Sequence, residues 1–119
     1  MRMDKPGAIK ALLIAGVNLN ADLGDGVTEL MMAAALDEPD VVEALIHCGA
    51  EVNAKCTSGK TPLIDAAEGN KNPDVASALI KAGADVNARD CNGNTVLDYA
   101  QKNNNSLVVP VLIKAGATD

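Results

Sequence analysis

Three cysteines and a single histidine are the residues of this chain best suited to nucleophilic or metal chemistry. His47 and Cys48 are adjacent, but neighbouring positions of a helix point about 100° apart, so these side chains do not form a nucleophile–base pair. A zinc site on His47 would need Cys56 or Cys91, and no Cys-x-x-Cys spacing supports one. We therefore expect no enzyme activity, no metal and no other cofactor. The odd, scattered cysteines predict a reducing, cytoplasmic location.

Charge and composition narrow the choice of partner. The net charge of −6 and the pI near 4.6 argue against binding to nucleic acid or to an anionic membrane surface. No apolar run approaches the ~18 residues that a membrane span needs. Carboxylates crowd near one segment, but without the spacing of a calcium loop, so a solvated edge is expected. They are Asp22, Asp25, Asp37, Glu38 and Asp40.

A fixed repeat determines how these side chains are positioned. It is marked by glycines 33 or 34 residues apart, at Gly16, Gly49, Gly83 and Gly116. A second landmark, Gly-x-Thr-x-Leu, begins at Gly26, Gly59 and Gly93. A period of this length is typical of stacked supersecondary units. The core is expected to be aliphatic, because the chain has one Tyr and neither Phe nor Trp.

Each copy is predicted to form two helices. The Thr of the second landmark is a suitable N-cap for the first helix, and the Gly of the first landmark is suited to ending the second. The first helices are expected at Met31–Leu36, Leu63–Glu68 and Leu97–Lys102. Pro39 and Pro73 should start second helices. The middle copy has one extra residue within 69–72, and residues 6–16 align only with a second helix.

These residues resemble the ankyrin repeat, whose pattern is close to D-x-x-G-x-T-P-L-H-x-A-A, a second helix, and G-A-D-V-N-A. The middle copy matches best, from Gly59 through Thr61-Pro62-Leu63 to residues 83–88. The resemblance covers 6–119 and implies an all-α ankyrin-repeat solenoid of stacked helix-turn-helix units joined by β-hairpin-like loops. One domain, 1–119, would comprise a half repeat, 6–22, and the repeats 23–55, 56–89 and 90–119.

The chain departs from this pattern at two kinds of position. The family's His after Leu is replaced by Met31, Ile64 and Asp98, so the loops are expected to be held differently. Pro110 lies near the fourth position of the final helix and should delay or bend its start, because Pro has no N–H.

The resemblance implies a non-catalytic module that binds a protein partner through a concave face of hairpins and first helices. The predicted contacts are Asp25, Val27, Met32, Leu36, Ser58, Lys60, Asp65, Glu68, Asn92, Asn94, Tyr99 and Lys102. Tyr99 would contact the partner if exposed, or pack beneath the last loop. Met32 could contact a partner or fill the core. Asp65 could meet a partner's Lys or Arg, or be solvated, or cap a hairpin.

Other functions stay open at this stage. The chain could be a small immunity or inhibitor protein that masks a toxin or enzyme, or a regulatory fragment of a larger repeat protein. It could also self-associate through an open N-terminal end at Ile9, Leu12 or Leu13. Asn87 fits the Leu-x5-Asp-Val-Asn pattern of asparaginyl hydroxylation in some ankyrin proteins, although a backbone-bonding role is favoured.

Overall fold

The computed structural model describes residues 20, 22–36, 38–69, 72–103 and 105–117. These contain six helices: α1 (Glu29–Ala35), α2 (Pro39–His47), α3 (Pro62–Gly69), α4 (Pro73–Lys81), α5 (Val96–Lys102) and α6 (Val108–Lys114). The N-terminal half repeat, with Ile9, Leu12 and Leu13, lies outside the described residues, as do residues 70–71 of the middle-copy insertion.

The predicted threonine caps are present at all three first helices. The hydroxyl oxygens of Thr28, Thr61 and Thr95 accept hydrogen bonds from backbone N–H groups three residues later, at 3.4, 3.3 and 3.1 Å. At α5 the cap is reciprocal, because Asp98 accepts a bond from the Thr95 N–H. The caps place each first helix directly after its hairpin.

The second helices end at the three predicted glycines. Gly49, Gly83 and Gly116 have φ values of 100°, 99° and 99°, which favour glycine. After α2, the Gly49 N–H bonds the Ile46 carbonyl and the Ala50 N–H bonds the Leu45 carbonyl, which is a Schellman motif. The same pair of bonds recurs after α4 and α6. The chain therefore turns sharply after α2, α4 and α6.

The helices form two layers around an aliphatic core. The first helices, α1, α3 and α5, pack side by side as the inner layer, and α2, α4 and α6 form the outer layer. Buried leucines, valines and alanines of both layers make one continuous core. Within the described residues no strand forms. The segment before α5 contains only an isolated antiparallel bridge, between Arg89 and Thr95. The predicted all-α repeat architecture is confirmed.

The α1 helix differs most from its predicted bounds, and α6 starts late, as Pro110 predicts. The α1 helix begins at Glu29 and ends at Ala35, so Leu36 follows the helix in an extended conformation. The α6 helix begins at Val108, two positions after Ser106, the repeat equivalent of Pro73. Pro110 thereby falls in the first turn, where its missing N–H breaks no helical bond. The predicted delay occurs.

Candidate functional site

A hairpin precedes each first helix, at residues 23–27, 56–60 and 90–94, and carboxylates organise the first and third of these hairpins. The Oδ1 atom of Asp90 accepts bonds from the Asn92 and Asn94 N–H groups, at 2.9 and 3.0 Å. Asp22 binds two N–H groups of the first hairpin in the same way. Cys56 holds the corresponding place in the second hairpin, and its Sγ lies 3.0 Å from the Ser58 Oγ. The Asp22 and Asp90 carboxylates thus hold the backbone turns of their hairpins.

Neighbouring hairpins are joined through their backbones. The Thr57 N–H donates to the Asp25 carbonyl at 2.8 Å, and the Cys91 N–H donates to the Ser58 carbonyl at 2.9 Å. Gly59 lies at the second junction with φ 81°, and a Cβ there would be only 2.7 Å from the Cys91 nitrogen. The hairpin tips thus form one continuous strip beside the inner helices.

A row of equivalent positions crosses the inner layer. It holds Met32 on α1, Asp65 on α3 and Tyr99 on α5. Met32 is 49% exposed, and Leu36, which directly follows α1, is 54% exposed. By contrast, Leu30 and Met31 of the same helix are almost completely buried. The exposed pair therefore does not serve the core, and Met32 is not a core filler.

Asp65 is half-buried in the middle of this row. Its carboxyl group forms no hydrogen bond within the described part of the chain. Burial raises the pKa of Asp65 to about 7. The charge of Lys60 lowers this pKa, and the charge of Glu68 raises it. Asp65 therefore neither caps a hairpin nor lies free in solvent.

A charged network lies beside Asp65 and joins the second repeat to the third. The Lys60 Nζ is 2.7 Å from the Glu68 Oε1 and 5.3 Å from the centre of the Tyr99 ring. The Tyr99 hydroxyl donates a hydrogen bond to the Asp90 carboxylate. The bond to Glu68 raises the pKa of Lys60, and the bond to Asp90 raises that of Tyr99. Tyr99 is half-buried, is bonded to the third hairpin and packs against the hydrophobic core.

The remaining predicted contacts divide by exposure. The exposed ones are Asp25, Met32, Leu36, Ser58, Glu68, Asn92 and Lys102. The half-buried ones are Val27, Lys60, Asp65, Asn94 and Tyr99. The prediction omitted Asp90, which orients Tyr99, although the D-x-x-G pattern points to it. It also omitted Leu23, whose side chain is 48% exposed on the first hairpin.

The other chemical candidates form no assembled centre. His47 is exposed at the last position of α2, and Cys48 is half-buried at its C-cap. In the residues that the structure describes, no three His, Cys, Asp or Glu side chains are grouped so as to hold a metal ion. Across the same residues, each helix is too short or too polar to cross a bilayer.

Asn87 belongs to a series of asparagines that join consecutive units. The Asn53 amide donates to the Gly83 carbonyl at 3.1 Å and accepts from the Asp85 N–H at 2.8 Å. Asn20 bonds the next unit in the same manner, and Asn87 donates to the Gly116 carbonyl at 3.4 Å. The backbone-bonding role favoured for Asn87 is present.

Comparison with models of protein families identifies the family of this chain. The family described as ankyrin repeats (3 copies) matches residues 2–90 and 30–119, which together span nearly the whole chain. A search of curated proteins found no match.

Proposed function

Because this chain belongs to the ankyrin-repeat family, we propose that it is a non-catalytic module that binds a protein partner through its inner-helix face. This face comprises Met32, Leu36, Asp65, Glu68, Tyr99 and Lys102, on or directly after α1, α3 and α5. Ankyrin repeats are generally protein–protein interaction modules without catalytic activity. A cytoplasmic location stays a prediction from the cysteine content.

The observation that carries the proposal is the exposure of Met32 and Leu36. Each of the two residues is about half exposed, whereas Leu30 and Met31 of α1 are buried. Met32 and Leu36 are only four positions apart in the chain, and exposed apolar surface that does not serve the core is typical of a binding surface. Met is also suited to such a surface, because its unbranched side chain adapts to the shape it meets.

Affinity capture with matched surface variants tests this assignment. The wild-type protein is immobilised and its bound proteins are identified from a lysate of the source cells. The recovered partner is then purified and its Kd is measured. We expect Met32→Ser/Leu36→Ser to weaken binding by about tenfold or more, because the truncation removes buried apolar contacts at the interface.

Leu107→Ser/Ile113→Ser is the control variant. Leu107 and Ile113 are 62% and 54% exposed, but they lie at and within α6, the last outer helix. This variant removes a similar apolar area from a different surface and should leave the Kd unchanged. If the α6 variant loses binding while the α1 variant retains it, the partner does not use the inner-helix face.

A further inference from the structure

The Asp65 carboxylate lies at the centre of the inner-helix face and is only partly solvated. A carboxylate that is half removed from water loses solvation, and hydrogen bonds or a cation must compensate for that loss. Within the described residues Asp65 has no hydrogen bond of this kind. A group in this state gains more from an incoming cation than a fully solvated carboxylate does.

The nearest cation of the chain is already engaged. Lys60 bonds Glu68 at 2.7 Å and lies over the Tyr99 ring. Its charge acts on Asp65, but burial outweighs that effect, because the pKa of Asp65 is still raised to about 7. Glu68 adds a second negative charge near Asp65. The local field at Asp65 therefore favours a positive group from outside the chain.

The residues on either side of Asp65 indicate which side chains of a partner should lie next to the positive group. Met32 lies at the equivalent position of the neighbouring helix α1 and is exposed, as is Leu36. On the other side, Tyr99 is oriented by Asp90 and its ring is near Lys60. The apolar contact area is thus on the α1 side of Asp65, and the polar contact area is on the α5 side.

We propose that the inner-helix face recognises a protein segment carrying a Lys or Arg side chain that pairs with Asp65, next to an apolar side chain that packs on Met32 and Leu36. This inference rests on the proposed function. The net charge of −6 favours the same kind of partner, since it attracts basic segments over long distances. Arg suits the site especially well, because its guanidinium can bond both oxygens of one carboxylate.

Selection from a phage-displayed library of random short peptides tests the inference. Peptides that bind the wild type and fail to bind Met32→Ser/Leu36→Ser are retained, synthesised and titrated. We expect these peptides to share a basic residue beside an apolar one. Their Kd should rise by about tenfold or more with Asp65→Asn, because the charge pair is then lost.

The matched control is Glu43→Gln, which removes one negative charge from an exposed position of the outer helix α2. It should change the Kd less than twofold. Replacing the peptide's basic residue with Ala should weaken binding to the wild type but not further weaken binding to Asp65→Asn. This non-additivity assigns the pairing to Asp65 and not to net charge.

The possible failures are distinguishable. Peptides that depend on Met32 and Leu36 but show no coupling between a basic residue and Asp65 would overturn this inference and leave the proposed function standing. A library without any peptide that depends on Met32 and Leu36 would contradict the inner-helix face as a binding surface, and the inference with it. Thermal unfolding of each variant, followed by circular dichroism, verifies that it is folded.

Discussion

At the scale of single residues, the inner-helix face combines a side chain held in place by its neighbours with one that is free to adapt. Tyr99 is fixed by its bond to Asp90 and by Lys60 above its ring. Met32 is exposed and is not held in the core. The face thus offers a rigid aromatic group at one side and an adaptable thioether at the other, with Asp65 between them. A pre-oriented aromatic loses little side-chain entropy on binding.

Ionisation of Asp65 should lower the free energy of unfolding of the protein when no partner is bound. The pKa of Asp65 is about 7 in the folded chain, compared with 3.8 ordinarily, because burial disfavours the charged form. Below about pH 3 both states carry the proton and the residue has no effect. As the pH rises from about 3 to 7 the unfolded state ionises first, so stability is lost, and the full loss persists above pH 7.

We therefore expect Asp65→Asn to stabilise the protein by about 1 to 2 kcal/mol at pH 8, after allowance for solvent screening, and by almost nothing at pH 3. Urea unfolding of both proteins at a series of pH values measures the difference. A constant difference for Asp65→Asn from pH 3 to pH 8 would show that Asp65 has an ordinary pKa.

At the scale of elements, the hairpins position the inner helices through close backbone contacts. The second and third hairpins meet where Gly59 approaches the Cys91 nitrogen. Gly93 is the repeat equivalent of Gly59 and has nearly the same backbone, with φ 79° compared with 81°. No atom lies within 4 Å of a Cβ built at Gly93. Replacing each glycine with Ala and comparing the two losses of stability therefore distinguishes the strain of a positive φ from the clash between hairpins.

Both glycine-to-alanine variants should lose stability, by different amounts. Gly93→Ala should cost about 1 kcal/mol, the strain of a left-handed residue that carries a Cβ. Gly59→Ala should cost about 1 to 3 kcal/mol more, since its Cβ meets backbone atoms that cannot move aside cheaply. Urea unfolding gives both values. Equal losses would mean that the hairpins are not closely stacked.

At the scale of the whole molecule, the repeat period was sufficient to predict the stack. The N-cap threonines and the helix-ending glycines lie where the sequence pattern places them, because both roles depend on local backbone geometry. The conformation of Leu36 was not predicted, since the apolar pattern continues one residue beyond the end of α1. Local signals thus define the elements well and their last residues less well.

The charged network could not be predicted from the repeat pattern. Lys60 and Glu68 belong to different elements, and Tyr99 meets Lys60 only because consecutive repeats stack. The state of Asp65 depends on how much water its neighbours exclude, which no spacing encodes. Apart from Leu36, the predicted contact residues lie on the expected elements, but their bonding depends on the assembled stack.

The most direct test of the central claim is an NMR map of the complex. Amide chemical shifts of the labelled chain are compared with and without the partner recovered by affinity capture. We predict that the largest changes occur in α1, α3 and the hairpin strip, centred on Met32 and Asp65. Changes concentrated in α2, α4 and α6, with Met32 and Asp65 unaffected, would contradict binding through the inner-helix face.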